Sequence, residues 1–288
     1  MNHRTGTLPG AGGRRIFWQS WTPAAGVRAV VVIVHGAGEH SGRYEQVAGR
    51  LTQEGYAGFA LDHRGHGRSD GPRALIDRMS AAVADLDSLI DLAGAEHPDA
   101  PVFVLGHSMG GTIAVQYALS HQDRMAGLIL SGPLAEIDAP AAMRAAGRAL
   151  SVLAPRLPLI GVDPGLVSRD PEVVAAYRSD PLVHHGKLPA RTVAELTAAI
   201  DAFPARAPEI IVPTLIVYGT ADRLCPPSGS VMLGERIGAD DLTLRSYDGL
   251  YHEVLNEPER ERVLDDVCAW LGQRVTTTET PGPTSRTA

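Results

Sequence analysis

The stretch Pro101-Val-Phe-Val-Leu-Gly-His-Ser-Met-Gly-Gly-Thr-Ile-Ala-Val-Gln-Tyr-Ala118 joins a short β-prone run to an Ala-rich helical one through Gly106-His107-Ser108-Met109-Gly110. A strand that turns abruptly into a helix lifts one side chain out of the backbone on a strained corner. Glycines at 106 and 110 fit that corner, because side chains there collide across so tight a bend. Ser108 is therefore the candidate nucleophile. The pentapeptide by itself matches many Gly-rich turns; the strand before it and the helix after it give it meaning.

Working outward, Val27–Val34 is a continuous β-branched run ending at His35-Gly36, as in a strand buried on both faces of a parallel sheet. Ser41–Glu54 reads as a helix, and Tyr56–Leu61 as a strand that opens the polar, Gly-rich loop Asp62–Gly71. Ser80–His97 carries apolar residues at helical spacing, with Ser80 as a suitable N-cap. A further strand is expected at Gly127–Ser131. Between Pro133 and Pro208 the rhythm breaks into an Ala- and Pro-rich region with helical pieces (139–153, 172–178, 191–203) and no clear strand. It resumes with a strand at Thr214–Tyr218, a helix at 228–237, a strand at Leu242–Tyr247 and a closing helix near 258–271. Strands alternating with helices predict an α/β fold: right-handed crossovers and a mainly parallel sheet flanked by helices. Residues 1–132 and 209–275 form the expected core, 133–208 a helical insertion over it, and the Thr- and Pro-rich 276–288 a disordered tail.

A chain of 288 residues with 44% apolar content has enough material for a sizeable core. The net charge of −7 disfavours nucleic acid, which calls for clustered Lys and Arg. Two cysteines make no disulfide framework. The polar, Gly-rich Met1–Gly13 lacks the apolar centre of a signal peptide, and no unbroken apolar run reaches the roughly 20 residues that span a bilayer. The expectation is a cytoplasmic protein.

A serine hydroxyl attacks only when a histidine, held in one tautomer by a carboxylate, takes its proton. In an open parallel sheet these groups gather where strands end. Asp222 lies just past the strand at 214–218 and His252 just past the strand at 242–247. The order Ser108, Asp222, His252 is one of the chain orders in which this geometry recurs. Asp248 is a rival acid but shares the histidine's own loop. Of the eleven histidines, His63 and His66 follow a strand that precedes the nucleophile, and His107 is expected to point away from Ser108. Two backbone donors must hold the oxyanion of the tetrahedral intermediate: Met109 N–H, directly after the nucleophile, and Ala37 N–H in His35-Gly-Ala-Gly-Glu-His40. Gly36-x-Gly38 does not open a dinucleotide fingerprint, since Ser41 stands at the third glycine position and no suitable acid follows. Neither His35/His40 nor His63/His66 has metal-ligand spacing, so no cofactor and no metal are expected.

These residues together resemble the α/β-hydrolase superfamily and, within it, the monoacylglycerol lipases. The superfamily likeness rests on Gly106–Gly110, Asp222 and His252. The narrower one rests on five motifs in order: the 35–40 loop with Arg43-Tyr44; Asp62-His-Arg-Gly-His-Gly-Arg-Ser69; Ser168–Leu182 of the insertion; Ala221–Cys225; and Gly249-Leu-Tyr-His-Glu253. The resemblance implies an α/β-hydrolase fold whose insertion caps the site, and a serine hydrolase that cleaves monoacylglycerols to fatty acid and glycerol without a cofactor. It further implies that Glu39 and Arg43 help bind the glycerol hydroxyls and that Cys225 lies near the pocket. The apolar, Pro-broken segment Leu150–Val162 fits a cap that touches membranes or lipid aggregates transiently, which would place the protein peripherally on them. A lysophospholipase or general carboxylesterase on the same triad, and a non-catalytic lipid-binding homologue, are the competing readings.

Overall fold

A computed structural model of the chain describes residues 1–137 and 139–275; the expected disordered tail, 276–288, lies outside the described residues. The strands are β1 (Asn2–Pro9), β2 (Arg15–Thr22), β3 (Ala29–Val34), β4 (Tyr56–Leu61), β5 (Val102–His107), β6 (Gly127–Ser131), β7 (Pro158–Ile160), β8 (Leu188–Pro189), β9 (Thr214–Gly219) and β10 (Leu242–Tyr247). The helices are α1 (Glu45–Gln53), α2 (Met79–Glu96), α3 (Met109–His121), α4 (Ala141–Leu153), α5 (Pro171–Ser179), α6 (Ala190–Arg206), α7 (Pro227–Arg236) and α8 (Arg260–Val275).

Eight strands form one sheet in the order β1-β2-β4-β3-β5-β6-β9-β10. From β4 to β10 every pairing is parallel, while β1–β2 and β2–β4 are antiparallel. The Ala-Val-Val-Val-Ile-Val run of β3 is buried throughout, because helices cover both faces of the sheet. Successive side chains alternate between those faces. Val30, Val32 and Val34 meet a core shared with Leu86 of α2, Ile113 of α3 and Phe203 of α6. Val31 and Ile33 meet the opposite core, with Leu51 of α1 and Val267 of α8. The loops that follow β3, β5, β9 and β10 all leave one edge of the sheet.

One element is added to the expected ones and two local expectations are corrected. The N-terminal segment forms a hairpin, β1 pairing with β2 from Asn2–Thr22 to Pro9–Arg15. Its polar first strand buries only Leu8, as an edge strand does. Ser80 does not cap α2: the helix begins one residue earlier, and Met79 N–H donates to Glu195 of α6 instead. The region 133–208 contains a small antiparallel pair, β7–β8, besides its helices.

The corner between β5 and α3 depends on two glycines. A Cβ on Gly110 would stand 1.9 Å from the carbonyl oxygen of Val34 and 2.5 Å from that of His35. On Gly106 it would stand 2.5 Å from the carbonyl oxygen of Gly110. Both collisions are with backbone, so a side chain would force α3 off the sheet. Gly110→Ala should therefore lower the unfolding free energy by about 3 kcal/mol or more in urea, at the upper end of overpacking costs. Gly147→Ala on α4, where a Cβ meets nothing within 4 Å, should instead stabilise by roughly 0.5–1 kcal/mol. Equal stability of Gly110→Ala and the parent would refute this account of the corner.

Candidate active site

Ser108 sits between β5 and α3 with φ +54° and ψ −121°, a backbone region that costs a residue with a side chain about 1–3 kcal/mol. Hydrogen bonds hold it there. Its N–H donates to Ser131 O at 3.1 Å, and its carbonyl accepts from Gly111, Thr112 and Leu134 N–H. The side chain faces a cavity, and its Oγ lies 3.6 Å from Cys225 Sγ.

Asp222 and His252 come from the loops after β9 and β10. His252 Nδ1–H donates to Asp222 Oδ2 at 2.8 Å, both side chains being almost fully buried. A carboxylate only accepts, so this bond keeps the proton on Nδ1 and leaves Nε2 as the acceptor. Asp222 is itself fixed, its Oδ1 accepting the N–H groups of Leu224 and Cys225 at 2.8 and 2.9 Å. Asp248, the rival acid, is an exposed partner of the Thr220 hydroxyl. Burial works against a charge on His252, but Cys225 and Asp222 outweigh it and hold its pKa well above the usual 6.5. His107 does not point clear of the site. Its ring lies 4.6 Å from that of His252, and its Nδ1–H donates to Ser131 O at 2.9 Å. Burial, then the neighbouring His252, lower its pKa and keep it neutral.

Met109 is the first residue of α3, so its N–H has no partner within the helix and is presented beside Ser108. Ala37 follows β3 across the same cavity. Its loop is pinned by Glu39, whose Oε1 accepts Gly36 N–H at 2.6 Å and the Tyr44 hydroxyl at 2.8 Å. Glu39 Oε2 accepts from Arg43 at 2.6 Å, and Arg43 in turn grips Glu253 with two bonds of 2.7 and 2.8 Å. Burial alone would raise the pKa of Glu39. Arg43, then His107 and His35, bring it down to about 2, so it is ionised at any ordinary pH. Glu39 lines the cavity, but Arg43 stands outside its wall, beneath the Tyr177 ring at 4.7 Å. The residues in 62–66 form a separate brace. Asp62 accepts Ser41 N–H and Arg68 N–H at 2.8 Å, and Arg64 pairs with buried Asp85.

The cavity holds about 350 Å³, within the usual range for small-molecule sites. Its lining combines apolar Leu134, Ile137, Ile160, Val162, Leu188 and Leu196 with polar Glu39, Tyr177, His252 and Glu253. Ser108 lines the same cavity. Leu134, Ile160, Tyr177 and Leu196 bring the region after β6 into its lining, and this region is tied to the loop after β3: His184 N–H donates to Gly38 O at 2.6 Å, and His40 Nε2 meets Asp180 at 2.9 Å. Among the described residues, no group of three or more His, Cys, Asp or Glu is arranged to hold a metal ion. Sequence reasoning gave no role to Glu253. Its neighbour His252 was conspicuous, but its partner Arg43 lies 210 residues away.

Comparison with known proteins places the chain. A family model described as serine aminopeptidase, S33, matches residues 25–259. A monoacylglycerol lipase of Mycolicibacterium smegmatis is 46% identical over 267 residues, covering 92% of this chain and 95% of that one. A monoglyceride lipase of Homo sapiens is 36% identical over 281 residues, covering 96% and 93%. Among solved structures, a monoacylglycerol lipase of Paleococcus ferrophilus superposes with a TM-score of 0.80 at 31% identity, over 95% of this chain and all of that one.

His252 can take a proton only while neutral. Its raised pKa therefore puts the acid-side limb of kcat/KM above pH 6.5, activity rising as pH climbs through it. A limb at or below pH 6.5 would contradict this electrostatic picture.

Proposed function

The chain belongs to the α/β-hydrolase superfamily and, within it, to the monoacylglycerol lipase family; from that premise we propose that it cleaves the ester of monoacylglycerols at Ser108. The observation that carries the reading is the strained Ser108 corner facing a cavity of mixed apolar and polar lining, which His252, bonded to Asp222 at 2.8 Å, also lines. The acyl chain lies along the apolar wall, and the glycerol lies toward Glu39, Tyr177 and Glu253.

Ser108 Oγ attacks the ester carbonyl carbon as His252 Nε2 takes its proton, and Asp222 holds the imidazolium in register. Negative charge gathers on the former carbonyl oxygen, which the N–H groups of Ala37 and Met109 receive. As the intermediate collapses, the bond from carbon to the glycerol oxygen breaks, and His252 returns the proton to that oxygen. Glycerol leaves and an acyl-serine remains. Water, activated by the same histidine, then releases the fatty acid. Glu39 and Glu253 share the single cation of Arg43, so the set keeps one net negative charge near the cavity, which favours a neutral glycerol over an anionic head group.

In this reading 133–208 is a cap that meets lipid. Met143, Val152 and Leu153 on α4, with Ile160 on β7, are 64%, 73%, 82% and 50% exposed. No described helix is long and apolar enough to cross a membrane, so these side chains suit shallow contact at an interface.

Purified protein should hydrolyse monoacylglycerols in preference to lysophospholipids, and Ser108→Ala should abolish both turnover and fluorophosphonate labelling. Near-normal turnover in that variant would sink the mechanism; preference for lysophospholipid would sink the substrate assignment. The double variant Val152→Asp, Leu153→Asp should lose about tenfold or more in activity on monoacylglycerol in vesicles, each buried Val or Leu side chain being worth about 1.5–3 kcal/mol. Its activity on a dissolved short-chain ester should be unchanged. Equal losses on both would show that these residues do not act at a lipid surface.

A further inference from the structure

We infer that Glu253 is a positioning residue: through Arg43 and Glu39 it locks the backbone of the oxyanion loop to the loop that carries His252. The inference rests on the oxyanion and triad roles proposed above and assigns Glu39 and Arg43 a part in them.

The connection is a chain of short, charge-assisted contacts. Glu253 is the residue after His252 and holds the Arg43 guanidinium with two bonds, 2.7 and 2.8 Å. Arg43 passes the constraint to Glu39 at 2.6 Å, and Glu39 fixes Gly36 N–H at 2.6 Å, one residue before Ala37. Glu253 is anchored at its other side as well. Its N–H donates to Val167 O at 2.8 Å, and Asn256 Nδ2 donates to its Oε2 at 2.8 Å. Glu39, Arg43 and Glu253 are 5%, 10% and 4% exposed. A planar guanidinium bonded in this way has little freedom to turn.

Two consequences separate this role from head-group binding. Both Glu39 oxygens already accept hydrogen bonds, from Gly36, Tyr44 and Arg43, and Arg43 does not reach the cavity wall. The network thus acts mainly on the protein's own loops. An oxyanion donor displaced by a fraction of an ångström weakens the transition state of any ester, with or without glycerol.

The test compares a monoacylglycerol with p-nitrophenyl butyrate, which has no glycerol. Glu253→Ala should lower kcat about tenfold or more on both substrates, part of the 10²–10³ that loss of a whole oxyanion donor costs. KM should stay within about threefold of the parent on both. The rate of fluorophosphonate labelling should fall in parallel, and Glu253→Gln, which still accepts from Arg43, should recover part of the loss. If Glu253→Ala does not fold, Glu253→Gln carries the same comparison, with a smaller loss shared by the two substrates. A raised KM confined to the monoacylglycerol, with p-nitrophenyl butyrate unaffected, would overturn the inference and leave Glu253 in the head-group site. Should the protein cleave p-nitrophenyl butyrate but no monoacylglycerol, the substrate assignment fails. The positioning role then stands or falls on kcat for the butyrate alone.

Discussion

The closeness of α3 to the ends of β3 and β5 is the constraint on which the site depends. With 1.9 Å between a notional Gly110 Cβ and Val34 O, helix and sheet meet backbone to backbone at this point. That contact aims the first turn of α3, and with it Met109 N–H, at the sheet edge where the loop after β3 also arrives. It also leaves Ser108 no room to adopt ordinary backbone angles. The strain at φ +54° is held by four backbone hydrogen bonds to residues 111, 112, 131 and 134. Ser108 is thus presented to the cavity by packing rather than by any preference of serine.

Around this corner the molecule buries several polar side chains, His35 hydrogen-bonded at both ring nitrogens and His63 at neither. Burial drives His35, His63 and His66 below the usual histidine pKa, His66 to about 3, so their rings stay neutral at ordinary pH. Their rings pack 4.4 to 6.3 Å apart, which charged imidazoles could not tolerate. Nearby, Arg43 sits between two carboxylates. Removing one member of such a set leaves an uncompensated buried charge, whereas the intact set serves geometry more than stability. Stability below the ordinary carboxylate range is where its cost surfaces. Glu39 is depressed to about 2 in the folded protein, so its contribution is present above the unfolded value of 4.5 and drains away as pH falls toward 2.

Much of the fold was legible because its core strands advertise themselves. Tyr56–Leu61, Gly127–Ser131 and Leu242–Tyr247 were read to the residue, being short apolar or alternating runs between clear loop signals. The hairpin of β1 and β2 was missed for the opposite reason. β1 is polar and exposed at the sheet edge, and its pairing with Trp18 and Trp21 of β2 is a tertiary fact. Ser80 illustrates a subtler failure: a good capping residue stood one position too late, and a glutamate from α6, more than a hundred residues on, took its place. The short β7–β8 pair has three and two residues, too few for periodicity to register.

By itself the sequence determined the α/β alternation, the serine corner and the positions of Asp222 and His252, each just past a strand. Those are local patterns: a run of β-branched residues, two glycines four apart, an acid or a histidine after an apolar hexamer. Only the tertiary structure decided what surrounds them. It set Cys225 3.6 Å from Ser108, laid His107 against His252, and closed Glu39, Arg43 and Glu253 into one buried set across 210 residues of chain. The physical reason is that hydrogen bonds and ion pairs between distant segments depend on where the packed sheet delivers its loops. No window along the chain contains both partners.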